Sequence, residues 1–317
     1  MSIFIRTTAG DIAQNKLGWC QCHEHVFLKR GKPLELSKSL VMDDYDRSLE
    51  ELRSYKKAGG VSLVDAQPVY SGRMAEELVS AAAESGVNII ASTGFHKHGF
   101  YYDDSPIFSM SEDELARLFI GEINDGMMAK DGSRLGAKAG IIKVAVDKGG
   151  IRATKAYERL FGAAVSAASE TGASLLAHFE PDTDAFELIE KMEKAGISPK
   201  RLIACHLDRA RIDAAYHAEV ASAGAFLEYD TINRLKYVSN EAELDLIMNM
   251  LDKGFEDSLL LSLDTTNERL RAYGANMGLD YILTVFRQML GDRGAGAAVV
   301  EKLMKTMQPA PLRSETD

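Results

Sequence analysis

What most restricts the fold of this chain is an eightfold alternation. Short runs rich in Val, Ile, Leu and Ala recur at residues 17–23, 61–66, 88–94, 139–146, 173–178, 201–206, 224–229 and 258–264, and longer stretches with apolar spacing near 3.6 lie between them. DRSLEELRSYKKAGG, RMAEELVSAAAESG and YERLFGAAVSAASETG combine Ala, Leu, Glu and Lys, and they end in Gly, as expected where a helix stops in a left-handed cap. Strands alternating with helices argue for parallel βαβ units, and eight such units close naturally into an α/β fold of the (β/α)8 TIM-barrel type. An open, doubly wound sheet would carry a Gly-rich phosphate loop after its first strand, and here that place holds HEHVFLKRG. No linker or shift in composition divides the chain. The expectation is one domain over 1–317, with the barrel at about 16–290 and a C-terminal helix and loosely held tail, PAPLRSETD, after it.

Composition narrows the partners. With 46% hydrophobic and 26% charged residues, the 317-residue chain has the balance of a soluble globular protein with a large interior. A formal charge of −10 argues against a nucleic-acid surface, and any anionic substrate must meet a local basic pocket. Three cysteines make no disulfide framework, MSIFIRTTAG has no basic n-region followed by an apolar h-region, and no apolar run approaches the ~20 residues that span a bilayer. A cytoplasmic protein with no membrane partner is expected.

Six polar residues sit at the ends of the apolar runs. His23 and His25 close the first, Lys143 lies in AGIIKVAV, His178 ends ASLLAHFE, His206 ends RLIACHLD and Asp264 ends SLLLSLDTT. In a barrel these are the C-terminal strand ends, where active sites lie. Strand alternation turns His23 and His25 to the same face, and imidazole and carboxylate are the donors a divalent metal prefers. Cys20, Cys22 and Cys205 form a rival ligand set, but the same alternation turns Cys22, Cys205 and Glu24 outward toward the helices, which makes the cysteines packing residues. Lys143 is flanked by Ile141, Ile142, Val144, Ala145 and Val146, so its stem enters the interior, where an isolated ammonium is disfavoured. Two readings of it stand side by side. A free amine forms a carbamate with carbon dioxide and bridges two cations about 3.5–4 Å apart, or the head snorkels to solvent or pairs with Asp147.

The set H-E-H, IIKVAV, the two later histidines and LSLDT resembles the phosphotriesterase-like branch of the amidohydrolase superfamily over about residues 16–290. The resemblance implies a binuclear metal-dependent hydrolase, with His23, His25 and Asp264 on the more buried ion, His178 and His206 on the more exposed one, and carboxylated Lys143 bridging both. Zinc is the first expectation, with manganese or cobalt as alternatives. Asp264 is the expected general base for a metal-bridging hydroxide. Substrates in the resembling families include sugar lactones, some of them phosphorylated, acyl-homoserine lactones and organophosphate triesters. FLEYDTINRLKY looks like the segment of sugar-lactone phosphate hydrolases in which a lysine holds a remote phosphate, which points to Lys236, with Arg209 extending the basic wall. A lactonase of the carboxylic ester hydrolase type is therefore expected, acting on a small sugar-derived lactone with or without phosphate. The chain departs from the pattern after Asp264, where Thr265-Thr266-Asn267-Glu268 precede Arg269 and Arg271, so phosphate recognition moves to Arg269, Arg271 or Tyr273 or is lost. The 95–109 loop, with His96, Lys97, His98, Tyr101 and Tyr102, is a candidate lid that supplies substrate contacts, His96 and Tyr101 first among them. Competing readings are a phosphotriesterase or other ester or amide hydrolase with the same centre, a ligand-binding barrel without turnover, and a metal-free enzyme with Lys143 as Schiff-base nucleophile. Barrels of this resemblance are often homodimers.

Overall fold

A computed structural model describes residues 4–305. The chain opens with an antiparallel hairpin, β1 (Phe4–Thr7) and β2 (Gly10–Ala13), which has no counterpart in the expected alternation. Eight parallel strands follow: β3 (Trp19–Glu24), β4 (Gly60–Asp65), β5 (Asn88–Gly94), β6 (Ile141–Val146), β7 (Leu175–Phe179), β8 (Leu202–Cys205), β9 (Phe226–Tyr229) and β10 (Leu259–Leu261). Each overlaps its predicted run, and each pairs with the next in chain order, with helices between, which makes the fold a (β/α)8 TIM barrel.

Helix boundaries follow local chemistry. Asp44, Thr154, Asp184 and Ser239 each cap a helix N-terminus by accepting a backbone N–H, and Ser111 and Glu114 form a reciprocal capping box. Gly86 and Gly172 end their helices in the left-handed conformation, as the sequence leads one to expect.

The barrel seam between β3 and β10 is tied by side chains. The Glu24 carboxylate accepts from Ser262 Oγ (2.8 Å), Leu263 N (2.9 Å) and Thr265 N (3.2 Å). Thr265 Oγ1 accepts from His25 N and donates to the His25 carbonyl, while Asp264 N donates to the His23 carbonyl. Glu24 is therefore a seam residue, not one turned outward to the helices as alternation predicts.

The cysteines need the same correction. Cys20, Cys22 and Cys205 pack inside the barrel with Val64, Ile90, Ile141, Leu176, Ile203 and Leu260, and Ile5 and Ile12 of the hairpin pack against this cluster. Packing residues they are, but on the other face. Two breaks in alternation explain it. The β3–β4 register slips between Gln21 and Glu24, so the adjacent Cys22 and His23 both face inward. His206 adopts a left-handed backbone (φ 68°), which brings it inward beside Cys205.

The 95–109 segment is shorter of coil than expected: it holds a 3-10 turn, His98–Phe100, and a short helix, Pro106–Ser109. No helix among the described residues is long and apolar enough to cross a membrane. The tail PAPLRSETD lies outside the described residues.

Candidate metal centre

Five strands deliver the six expected donors to one end of the barrel. Lys143 lies mid-strand on β6 and is fully buried. Its neighbour across the ladder is Gly94, whose left-handed backbone (φ 95°) lets β5 approach so closely that a Cβ there would stand 2.0 Å from the Lys143 carbonyl oxygen. Lys143 Nζ lies 3.1 Å from His23 Nε2. Asp264, also left-handed (φ 48°), places Oδ1 3.4 Å from His25 Nε2 and 3.8 Å from His23 Nε2. The His178 and His206 rings stand 4.3 Å apart between centroids, and His206 is 4.8 Å from His23. The snorkelling alternative for Lys143 does not hold, since its head stays inside the barrel against His23.

Burial sets the protonation of this cluster. It pushes the His23 and His206 imidazoles far below their ordinary range and His178 down to about 4, so these rings are neutral at physiological pH. It also lowers the Lys143 ammonium, against nearby Cys205 and Asp264, which favour the charge. Burial alone would raise the Asp264 carboxyl, but Arg234 and Arg209 hold it well below the usual carboxylate range. Arg209 donates to Asp264 Oδ2 through Nη1 (3.0 Å) and Nη2 (3.1 Å), and Arg234 Nη1 donates to the same oxygen.

Carboxylates stand behind three of the rings. Glu228 Oε2 is 3.2 Å from His23 Nδ1, Glu180 Oε1 is 2.9 Å from His178 Nε2, and Asp230 Oδ2 is 2.5 Å from His206 Nδ1. Among the buried polar atoms here, His25 Nδ1 has no hydrogen-bond partner, and His206 Nδ1 and Asp230 Oδ2 face one another. His23, His25 and Asp264 bring donor atoms within 4.8 Å of one another, as do His23, His206, Glu228 and Asp230. Neutral imidazoles and carboxylates left short of partners are the donor set that fits a divalent cation.

Comparison with known proteins decides the family. The model of the phosphotriesterase family matches residues 4–310. The chain belongs to that family. The phosphotriesterase family is binuclear-metal dependent, and this member is a metal-dependent hydrolase. The chain is 30% identical to a phospho-furanose lactonase of Mycoplasmopsis synoviae, a match covering 94% of this chain and 88% of that one. Among solved structures, a lactonase from Listeria monocytogenes superposes with a TM-score of 0.86 at 28% identity, covering 95% of this chain and 96% of that one. An amidohydrolase from Mycoplasma synoviae gives 0.90 at 28% identity, covering 99% and 93%.

Above the centre of this phosphotriesterase-family barrel opens a cavity of about 450 Å³ lined by His23, His25, His178 and Asp264 and by residues of the segments that follow β3, β5, β6, β7, β8, β9 and β10. A larger groove of about 730 Å³ runs between the helices Lys155–Thr171 and Ala185–Lys194 and touches none of the six donors. Of the expected substrate contacts, Lys236, Arg209 and His96 line the cavity above the centre. Tyr101 and Arg269 do not. The Tyr101 hydroxyl is consumed inside the loop, accepting from His96 N (2.8 Å), and the Arg269 guanidinium is buried, donating to the Ile232 and Asn233 carbonyls. Arg271 is drawn off to Asp280 and Tyr273 to Ser48 and Asp44, so the region after Asp264 supplies no cation to the cavity.

Arg234 takes that place, unanticipated. It lines the cavity beside Lys236, and the cationic ends of Arg209, Arg234 and Lys236 surround the Tyr237 ring at 5.1, 5.7 and 5.0 Å. Glu180, bound to Lys97 Nζ (2.5 Å), and Asp147 line the other side. Glu228 and Asp230 carried a usable signal: two acids at i and i+2 in the apolar run FLEYD share the interior face of a strand.

Proposed function

We propose that this chain opens a small lactone, sugar-derived and anionic, at a centre of two divalent ions. His23, His25 and Asp264 would hold the more buried ion, His178 and His206 the other, and a carboxylated Lys143 would bridge them. Lys143 suits that role because an amine whose ammonium is disfavoured by burial adds carbon dioxide with loss of one proton, giving a carbamate. When bound, the two ions lower the pKa of water and polarise the ester carbonyl. Zinc, manganese and cobalt all suit the donors.

The chain's own residues do the rest. Arg209, Arg234 and Lys236 form the basic wall that a chain of net charge −10 needs in order to draw in an anion. Asp264 remains ionised and aims Oδ1 at His23 and His25. Its Oδ2 accepts a proton only once Arg209 and Arg234 release it, and a substrate anion that engages the arginines favours that release. Glu180 and Asp147 offer acceptors to substrate hydroxyls from the opposite side.

The observation that carries this reading is the placement of three cations on the wall of the very cavity that exposes the histidine and aspartate donors. Relatives named for lactone hydrolysis, one of them for phospho-furanose lactones, support it. The test is a panel of five- and six-membered sugar lactones, with and without phosphate, given to protein loaded with zinc, manganese or cobalt and followed by proton release. Turnover favouring the phosphorylated members supports the proposal. Inactivity on every lactone, with hydrolysis of a phosphotriester or an N-acyl amide, moves the reading to another substrate of the same centre.

A further inference from the structure

His23 has two ring nitrogens with different surroundings. Nε2 faces Lys143 Nζ (3.1 Å) and Asp264 Oδ1 (3.8 Å), whereas Nδ1 faces Glu228 Oε2 (3.2 Å) and Asp230 Oδ2 (3.8 Å). A neutral imidazole that gives its Nε2 lone pair to a cation must keep its single proton on Nδ1. With His23 only 1% exposed, that N–H has no water to bond and needs an acceptor from the protein. Asp230 is otherwise engaged, with one oxygen on Arg209 (3.2 Å) and the other against His206 Nδ1. Glu228 is the acceptor that remains.

No cationic side chain of the packing pairs with the carboxylate there. Glu228 is fully buried, its polar neighbours besides His23 are the Cys205 thiol and the Asp230 carboxyl, and among the described residues its ion-pair contacts are confined to His23. As a structural residue it is a liability, because a buried acid without a cation costs stability.

We propose that Glu228 is a positioning residue for His23: it fixes the proton on Nδ1, turns Nε2 toward the ion shared with His25 and Asp264, and raises the affinity for that ion. The inference rests on the ligand assignment above and adds β9, which supplies none of the six donors, as the strand that tunes one of the two sites.

Glu228→Gln keeps an oxygen acceptor, and Glu228→Leu removes it. Zinc and cobalt affinities of the full-length protein are measured by competition with a chromophoric chelator, with cobalt absorption reporting each site and thermal unfolding of the chelated protein reporting the fold. Glu228→Leu should weaken one of two cation sites about 10- to 100-fold and leave the other unchanged, with an apo melting temperature equal to or above wild type. Glu228→Gln should recover most of the affinity. Wild type that binds two equivalents while Glu228→Leu binds them equally well overturns the role of Glu228 alone, and so does a parallel loss at both sites with a lower apo melting temperature. Wild type that binds no cation overturns the ligand assignment itself.

Discussion

Gly94→Ala tests whether the backbone that carries Lys143 is as tightly set as its geometry indicates. A Cβ at residue 94 would lie 2.0 Å from the Lys143 carbonyl oxygen and 3.0 Å from its carbonyl carbon, where ordinary contact begins at 3.4 Å. Relief requires β5 and β6 to part by more than 1 Å on the order of magnitude of that overlap, which breaks the Phe95 N to Lys143 carbonyl bond, now 2.9 Å. Losing a buried backbone hydrogen bond costs about 1–3 kcal/mol. Holding alanine at φ 95° adds about 1–2 kcal/mol of backbone strain. The expected destabilisation is therefore about 2–5 kcal/mol, which for a chain of this size lowers the melting temperature by roughly 5–15 °C. Calorimetry of the chelated protein measures it without a contribution from bound metal. The same displacement moves the Lys143 side chain, so metal stoichiometry, read by elemental analysis, should fall with it. A melting temperature within about 2 °C of wild type together with full metal content would refute the argument that this glycine sets the position of Lys143.

Three further outcomes are expected. Lys143→Ala should retain less than about a tenth of the activity and lose metal, with partial recovery in millimolar short-chain carboxylate, as measured by elemental analysis and proton release; unchanged metal content contradicts bridging. Arg234→Gln should raise KM for an anionic lactone about tenfold or more and leave KM for a neutral lactone within about twofold, because a desolvated ion-pair contact contributes about 1.4 kcal/mol or more and only the anion makes it. Glu122→Gln should destabilise the fold by about 3–5 kcal/mol in urea unfolding, since it leaves Arg73, whose side chain is 3% exposed and paired with Glu122, as an uncompensated buried charge.

The barrel was legible because its signal is repetitive. Eight β-branched runs and the intervening amphipathic stretches reinforce one another, so a one- or two-residue error at a boundary costs nothing. The polar cluster at the barrel mouth was legible for a related reason, five of its residues closing apolar runs and Lys143, expected at a strand end, standing inside one. What the sequence concealed depends on exceptions to periodicity and on long-range pairing. The slip at Gln21–Glu24 and the left-handed His206 reverse the faces of Cys22 and Cys205, and neither leaves a mark in a pattern of alternating residues. Glu24 looks like any glutamate on an outward face until Leu263 and Thr265, more than 230 positions away, present their N–H groups to it. Arg234 and Arg269 are indistinguishable as letters. One reaches the cavity and the other spends its guanidinium on the Ile232 and Asn233 carbonyls, a difference decided by loop geometry alone. The N-terminal hairpin was missed because its two strands have four residues each, too few to show a period.

Two of the six proposed donors, His206 and Asp264, sit in the left-handed region that glycine adopts without penalty. Glycine would relax the backbone at both positions, but at 264 it would also strip Arg209 and Arg234 of the carboxylate they share. In the ligand assignment proposed above, a histidine and an aspartate there mark the places where the demand for chemistry runs against the demand for a relaxed backbone, and a homologue that has abandoned catalysis should betray itself first at these two positions.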